Sequence, residues 1–521
     1  MDASAEAVPT RSTETQSRNQ QAIMIAAGFG IAAFLLQMLT NGQYDYFRDE
    51  LYYIACSNHL AFGYVDMAPL APLLLRISRA TFGDSLHALR LIPAISYGLG
   101  VFLTGMIARE FGGKRFAVGL ASAVWLLAPV IVANGNRYSM NPNEPVLWMA
   151  AVYFLLRSER LRNPKLLLWC GVFLGIALEN KHSAVFFIGA LVIGILLSSQ
   201  RRLFREKYFW AAVAITVVLA LPNFVWQATH GFPTWVDLNN VRREHKNVEL
   251  PALAFLWQQV MTFNPPNVLF WVVGLGWLLF GAGKRWRYLG VTFVVFFLLM
   301  TKMHAKDYYV APIYPMLFAA GAVCWQSITE RGVLRWARGA LAVVVVSEVI
   351  TLPLTLPILP VDRIVPYREM LGLKMSKSET NQSGPLPQYF GDEFGWPEMV
   401  ATVAQVYNSL PPEERAHAGI LAGNYGEAGA IDFFGPRYGL PKSISAHQNY
   451  YYWGYRDYTS DDTFIILQWP RAGVEGACRS YDEGPTLNPK WAMAEEHYTI
   501  WICHGFKRPL PDLWERIKHW N

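Results

Sequence analysis

The stretch Tyr46-Phe47-Arg48-Asp49-Glu50-Leu51-Tyr52-Tyr53 lies just beyond the first long apolar run of the chain, residues 21–40. It places two adjacent carboxylates, Asp49 and Glu50, at the edge of a membrane-spanning segment. Charged side chains close to lipid are costly and therefore point to functional positions. The alternative is structural, because acidic residues also favour the first turn of a helix. The surroundings of the pair decide between the two interpretations.

The composition is that of a membrane protein with a sizeable soluble part. Of 521 residues, 53% are hydrophobic and 14% are aromatic, and the mean hydropathy is +0.19. These values argue against a large globular enzyme. The net charge of +6 does not imply nucleic-acid binding, because most of the surplus lies in short loops between apolar runs.

The apolar runs predict eleven transmembrane helices and hence a polytopic α-helical membrane protein. They lie at 21–40, 86–108, 116–133, 142–156, 166–179, 183–198, 208–225, 267–282, 288–301, 309–326 and 339–356. Several are shorter than the ~20 residues that an upright spanning helix needs, so tilted, kinked or protein-buried helices are expected among them.

Charge in the loops predicts the orientation. Arginine and lysine concentrate in alternate loops, near 109–115, 157–165, 201–207, 284–287 and 331–338. By the positive-inside rule these loops and the polar N-terminus are cytoplasmic, whereas the intervening loops and the C-terminal tail lie outside. Residues 1–20 show no cleavable signal peptide and are expected to be a disordered cytoplasmic segment.

The chain changes character after residue 356, where apolar runs shorten and Gly, Pro, Asn and Asp increase. A transmembrane domain is therefore expected over 21–356 and a soluble α/β domain, outside the membrane, over 357–521. The domain is predicted to contain helices at 396–409 and 427–434 and strands at 418–422, 463–468 and 498–503. Cys478 and Cys503 can form a disulfide in an external tail, but their spacing does not establish the geometry.

The first outer loop, 41–85, contains two amphipathic segments, 48–61 and 68–82, separated by a Gly- and Pro-containing break. Two short helices along the membrane surface would present Asp49, Glu50 and Asp66 to one cavity. Asp66 has a structural alternative, as the N-cap of the second helix. The two roles are compatible, because a capped loop fixes the direction of a carboxylate.

Other charged and polar side chains collect on the predicted outer face. They are Arg137, Glu144, Lys181, Lys302, His304, Lys306 and Tyr308. A basic cluster outside departs from the positive-inside trend and is best explained by an anionic ligand. For Lys181 the alternative is a lysine whose ammonium simply reaches the membrane surface, and the acid and cations can also be tolerated in solvated loops.

The chain shows no nucleotide-binding or hydrolase motif, so nucleotide hydrolysis is not expected. His304 and Asp307 have a spacing that can suggest a metal, but no further ligand set at metal spacing accompanies them. A divalent metal is therefore possible but not indicated, and no cofactor is expected.

Five features together resemble the bacterial branch of glycosyltransferase family 39. They are the acidic pair after the first span, Tyr64-Val65-Asp66 followed by Pro69-Leu70, the Asn/Glu loop before Glu144, Lys181 between two helices, and Lys306-Asp307-Tyr308-Tyr309 with Pro312, Tyr314 and Pro315. Gly423 to Gly429 and Leu440 to Gly454 also look like stretches of bacterial members. The resemblance runs from about residue 20 to 505.

The resemblance implies a GT-C fold, related to that of protein O-mannosyltransferases and the aminoarabinose transferases of lipid A. It implies a sugar donor on a polyprenyl phosphate, transfer on the outer face, Asp49 as catalytic base and Glu50 in support. Asp66, Glu144 and Lys181 match further family positions. One departure is Met67, where the aminoarabinose transferases have a phosphate-contacting lysine, so phosphate contacts are expected from Lys181, Arg137, Lys302 or Lys306.

The expected reaction is therefore an inverting transfer, by direct displacement, at the periplasmic face of the bacterial inner membrane. The acceptor hydroxyl can belong to lipid A or core, another glycolipid, a polysaccharide or a protein. The competing interpretation is a lipid-linked sugar transporter (flippase) or an outer-face binding protein. A transporter should show intramembrane charges and paired broken helices, and Glu348 is the clearest acid within a late span.

Overall fold

The computed structural model describes residues 11–373, 379–380 and 384–521. Its N-terminal two thirds are helical. The helices are α1 (Arg11–Thr40), α2 (Arg48–Asn58), α3 (Leu70–Phe82), α4 (Leu86–Leu89), α5 (Leu91–Glu110), α6 (Arg115–Leu127), α7 (Pro129–Gly135), α8 (Asn143–Arg160), α9 (Leu167–Asn180), α10 (Ala184–Leu196), α11 (Lys207–Thr229), α12 (Pro233–Arg243), α13 (Ala252–Thr262), α14 (Val268–Leu279), α15 (Arg287–Lys302), α16 (Tyr314–Thr329) and α17 (Ala337–Ser347).

The C-terminal third combines short helices with one sheet. Its helices are α18 (Val361–Met370), α19 (Gln388–Gly391), α20 (Trp396–Ser409), α21 (Pro412–Ala416), α22 (Tyr425–Phe434), α23 (Tyr450–Trp453), α24 (Arg471–Ala477) and α25 (Leu510–Ile517). The strands are β1 (Gly419–Leu421), β2 (Thr463–Ile466), β3 (Tyr481–Thr486) and β4 (Thr499–His504), in the order β1-β2-β4-β3. β1 and β2 are parallel, and the other pairs are antiparallel.

Each predicted span coincides with a helix. The lengths of these helices support fewer membrane crossings than the eleven predicted. Among the described residues, five helices are long and apolar enough to cross a membrane, or eight if each of three bent pairs counts as one span. The remaining predicted spans coincide with shorter helices such as α8 and α9. The chain is thus a multi-pass membrane protein, and eleven spans stay a prediction.

The N-terminal segment differs from the prediction. Helix α1 begins at Arg11, so residues 11–20 are helical where disorder was expected, while residues 1–10 lie outside the described part of the chain. The physical reason is that the polar residues before the apolar run include no Gly or Pro after residue 11, and Arg, Glu and Gln are good helix formers.

Small residues allow the membrane helices to pack closely. A Cβ on Gly30 of α1 would lie 2.8 Å from the carbonyl oxygen of Gly98 on α5, and one on Gly274 of α14 would lie 2.0 Å from that of Leu317 on α16. Such backbone contact is typical of helices that associate in lipid, where van der Waals packing replaces the hydrophobic effect.

The first outer loop and the C-terminal third share one hydrophobic core. Leu51 to Cys56 of α2 and Leu75 of α3 lie in the same buried cluster as Val400 of α20 and Ile431 of α22. α2 is therefore buried between the two parts of the chain. The loop at 41–85 contributes to the core of the C-terminal part, and the domain boundary at residue 356 stays a prediction.

β3 was missed by the sequence analysis because its segment, Tyr481–Thr486, contains Gly484 and Pro485. Such residues are excluded from central strands, but β3 is at the sheet edge and is irregular between Glu483 and Thr486, where proline is tolerated. Cys478 and Cys503 form a disulfide, which ties the start of this edge to β4.

Replacement of Gly429 should weaken the docking of α22 on α2. A Cβ at this position would lie 2.7 Å from the carbonyl group of Leu51, so Gly429→Leu forces two backbones apart and should cost about 1–3 kcal/mol of stability. Thermal unfolding of the detergent-purified protein measures this. Gly476→Leu is the matched control, because a Cβ there meets nothing within 4 Å, and an equal loss in both variants would contradict the assignment.

Candidate active site

Asp49 lies in the first turn of α2, half-buried, where its charge also suits the helix N-terminus. The phenolic hydroxyl of Tyr425, the first residue of α22, donates a hydrogen bond of 2.8 Å to Asp49 Oδ1. The other carboxylate oxygen accepts no hydrogen bond from any residue that the structure describes. Within the described part of the chain, Asp49 is therefore a carboxylate oriented through one oxygen, with the other oxygen not engaged.

Asp66 is connected to Asp49 through two tyrosines whose rings are in contact. Tyr52 donates to Asp66 Oδ1 at 2.9 Å, and the rings of Tyr52 and Tyr425 are 4.7 Å apart. Burial, together with the nearby charge of Asp237 on α12, raises the pKa of the Asp66 carboxyl to about 7. The two predicted acids thus face one neighbourhood, and Asp66 titrates near neutral pH.

Glu50 has a different environment from Asp49. Its side chain is fully buried, and both oxygens bind Arg90, each at 2.8 Å. They also accept hydrogen bonds from the backbone N–H groups of Phe47 and Tyr138, at 2.9 and 2.7 Å. Both oxygens are engaged away from solvent, so Glu50 caps and anchors α2. Its predicted role in support of Asp49 stays a prediction.

Arg137 also has an internal partner rather than a free outer position. Its guanidinium binds Glu393 and lies 5.0 Å from the centre of the Phe390 ring. Arg137 is 6% exposed, so the predicted contact with the donor is not supported by its position. A partner 256 residues away in sequence is not visible from the loop that carries Arg137.

The structure brings Glu144 and Lys181 together. Lys181 Nζ donates to Glu144 Oε2 at 3.1 Å and to Asn141 Oδ1 at 2.9 Å, and it lies 4.2 Å from the centre of the Tyr309 ring. These contacts orient the ammonium and use two of its three N–H groups. The third N–H remains for a further acceptor.

The side chains of the loop at 302–308 differ in their burial. Lys302 and His304 are exposed, whereas Lys306 Nζ contacts Glu379 Oε1 at 2.5 Å. Burial lowers the pKa of Lys306, but the charges of Glu379 and, more weakly, Asp49 raise it above its usual value. The Nζ of Lys181 is 6.0 Å from the centre of the Tyr308 ring. Burial and, more weakly, the charges of Glu379 and Asp49 hold the pKa of the Tyr308 hydroxyl well above its usual value.

Glu379 is the carboxylate partner of Lys306, and the sequence analysis did not identify it. Burial opposes its ionisation, but the ammonium groups of Lys306 and Lys246 hold the pKa of its carboxyl at about 2. Lys306 and Glu379 are therefore both charged at neutral pH. In the described part of the chain, no three His, Cys, Asp or Glu side chains form a group that could hold a metal ion.

Three further functional residues were not identified from sequence. Arg90 directly precedes α5 on the predicted outer side, where the positive-inside trend could have marked it. Tyr425 lies in the Gly423–Gly429 stretch, which resembles bacterial members of the family but gave no partner for the tyrosine. Asp237 lies on α12 and belongs to no motif.

The chain matches known proteins in sequence over part of its length and in fold over most of it. Residues 66–226 match the model of the family described as dolichyl-phosphate-mannose-protein mannosyltransferase. The chain is 25% identical over 236 residues to the lipid A galacturonosyltransferase RgtD of Rhizobium johnstonii, covering 42% of this chain and 48% of the relative. It is 30% identical over 159 residues to undecaprenyl phosphate-alpha-4-amino-4-deoxy-L-arabinose arabinosyl transferase 1 of Pseudomonas fluorescens, covering 29% and 27%.

The matched segment thus spans about half the length of the first relative and about a quarter of the second. The solved structure of ArnT from Cupriavidus metallidurans is similar over almost the whole chain, with a TM-score of 0.59 and 14% identity over 91% of this chain and 97% of that chain. The resemblance to glycosyltransferase family 39 that the motifs indicate is therefore confirmed, and the chain has the GT-C type of membrane fold.

Proposed function

We propose that this protein is a membrane glycosyltransferase that moves a sugar from a polyprenyl-phosphate donor to an acceptor hydroxyl. The observation that carries the proposal is the Asp49 carboxylate, which has one oxygen fixed by Tyr425 and the other without a hydrogen-bond partner among the described residues. A base with this environment suits an alcohol acceptor. The active site would face the periplasm from the bacterial inner membrane, as the charge in the loops predicts.

The relatives support the choice of donor and acceptor class. One relative is named as a lipid A galacturonosyltransferase and another as an undecaprenyl phosphate aminoarabinose transferase, and ArnT has been solved with undecaprenyl phosphate bound. For this chain we therefore propose a polyprenyl-phosphate sugar as donor and a glycolipid such as lipid A as acceptor. Met67, at the position of the aminoarabinose transferases' lysine, argues against aminoarabinose as the sugar.

The chemistry is a direct displacement at the anomeric carbon. Asp49 accepts the proton of the acceptor hydroxyl as its oxygen attacks. The bond from the anomeric carbon to the phosphate oxygen breaks, and the polyprenyl phosphate leaves with the electron pair. The configuration inverts, and the chain needs no covalent glycosyl intermediate.

Lys181 is the side chain that we assign to the departing phosphate. It lies at the outer end of α9 with one N–H left by its contacts to Glu144 and Asn141, and a fixed cation stabilises charge that develops on the leaving group. Glu144 then keeps the ammonium in place when no phosphate is bound. Lys306 is held by Glu379 and contributes to the field around Asp49.

Asp49→Asn should abolish transfer and leave the protein folded. The amide cannot accept the acceptor proton, so the rate should fall by at least about 100-fold, while the melting temperature stays near that of the wild type. Release of radiolabelled product from a polyprenyl-phosphate sugar, with membranes of a deletion strain as acceptor, measures the rate. Wild-type activity in this variant would falsify the assignment.

Glu50→Gln, the neighbouring change, should act on stability instead. It removes one carboxylate from a buried ion pair with Arg90 and should cost about 3–5 kcal/mol, seen as a lower melting temperature and a smaller yield of folded protein. Asp482→Asn is a control, because Asp482 is exposed and pairs only with a surface histidine. If Glu50→Gln melts like this control, the anchoring role is wrong.

Tyr425→Phe should lower kcat about tenfold, because Asp49 loses the hydroxyl that orients it while the aromatic ring remains. An effect of this size corresponds to about 1.4 kcal/mol in the barrier. Tyr481→Phe is the matched control: Tyr481 also donates to a carboxylate, Glu475, but on the exposed side of the same part of the chain. Equal kcat values for the two variants would show that Tyr425 does not position the base.

A further inference from the structure

A polar cavity of about 250 Å³ lies beside Asp49, between the start of α2 and the C-terminal part of the chain. Arg48 and Tyr425, the chain neighbour and the hydrogen-bond partner of Asp49, form one wall. Lys246, His447, Gln468 and Glu495 are among the residues on the other sides. An acceptor bound in this cavity would contact these two neighbours of Asp49.

The charged side chains that line the cavity already have partners within the protein. Arg48 forms an ion pair with Glu495, and Lys246 Nζ donates to the carbonyl oxygen of Asn521 at 3.0 Å. Glu244 accepts a hydrogen bond from the Asn521 side chain. A phosphate or a carboxylate would have to break these contacts, whereas a neutral hydroxyl can join them as both donor and acceptor. The cavity therefore suits an uncharged polar ligand.

His447 identifies the kind of group that the ligand must offer. Its Nδ1 accepts a hydrogen bond from the backbone N–H of Tyr425 at 3.2 Å, so the proton of the neutral ring is on Nε2. Burial, with the cations nearby, keeps the pKa of the ring well below its usual value, and the ring stays neutral. The Nε2 N–H is thus a fixed donor.

That donor has no acceptor at ordinary hydrogen-bond geometry among the described residues, although His447 is only 6% exposed. The backbone of Asn521 acts on the ring as a weak acceptor, with less effect on its pKa than burial and the nearby cations have, and its carbonyl oxygen already accepts from Lys246 and from Gln448 Nε2, each at 3.0 Å. A buried N–H without an acceptor costs free energy. An oxygen of a bound molecule would remove this cost.

Aromatic rings line the same region. The ring of His447 stacks on that of His519 at 4.3 Å and lies 4.9 Å from that of Tyr425. Aromatic faces beside amide, carboxylate and cationic groups match a sugar ring, which has apolar C–H faces and a rim of hydroxyls. Sites for small ligands commonly combine such surfaces with a few placed polar groups.

We propose that this cavity binds a neutral monosaccharide unit of the acceptor, with the His447 Nε2 N–H donating to one of its oxygens. That the bound sugar is an acceptor rests on the proposed transferase function, whereas the binding of a sugar can be measured separately. The bound ring presents one hydroxyl toward Asp49, and the other hydroxyls contact Gln468 and Glu495. Specificity for the acceptor then resides in the C-terminal part of the chain.

The test is saturation-transfer NMR on the full chain in detergent with methyl glucoside, methyl mannoside and methyl galactoside as probes. We expect saturable binding of at least one probe to the wild type and to Asp49→Asn, and at least tenfold weaker binding to His447→Phe, which keeps a ring but lacks the N–H. His504→Phe, a change at a half-buried histidine of β4, should bind like the wild type. Gln468→Leu is a second variant in case His447→Phe does not fold.

The proposal is overturned if His447→Phe and Gln468→Leu bind every probe as the wild type does. Displacement of the probe by inorganic phosphate, or by undecaprenyl phosphate, would also overturn it, because the cavity would then be an anion or donor site. If the wild type transfers no sugar and probe binding still depends on His447, the transferase function fails and the sugar site stands. If transfer is intact and the acceptor KM is unchanged in His447→Phe, the function stands and the acceptor site fails.

Discussion

The buried guanidinium of Arg90 is the constraint on which the rest of the structure depends. It donates to Glu50, to Glu393 and to the backbone carbonyls of Asn41 and Asp45, and none of its surface is exposed. A buried charge is tolerated only when it is paired and hydrogen-bonded in this way. Because its partners come from the end of α1, the start of α2 and the C-terminal part, these segments have one fixed arrangement.

The position of Asp49 follows from that arrangement. Glu50 fixes the first turn of α2 by binding Arg90 and the backbone of Phe47, so the neighbouring side chain must point in a different direction along the helix. That direction is toward α22, whose glycines allow close approach to α2 and bring the Tyr425 hydroxyl within hydrogen-bond distance. One acid of the pair thus stabilises the structure, and the other is left for chemistry.

Local signals in the sequence predicted most of the elements. α20 has the predicted bounds of 396–409, and β1, β2 and β4 lie within two residues of the predicted strands. The contact of Glu144 with Lys181 could be inferred from the sequence, because Glu144 lies at the start of α8 and Lys181 at the end of the next long helix, α9. The partners of Arg137 and Lys306 were not, because Glu393 and Glu379 are far away in sequence and have no periodic or motif signal.

The sequence by itself determined a helical membrane protein, its resemblance to family 39 and the importance of the acidic pair, because hydropathy, loop charge and short motifs are local properties. Only the tertiary structure decided which acid of the pair binds Arg90 and which cations have carboxylate partners. It also decided that the loop at 41–85 shares a core with the C-terminal part. The physical reason is that the state of a charge depends on its burial and its partners. In this chain those partners are up to several hundred residues apart.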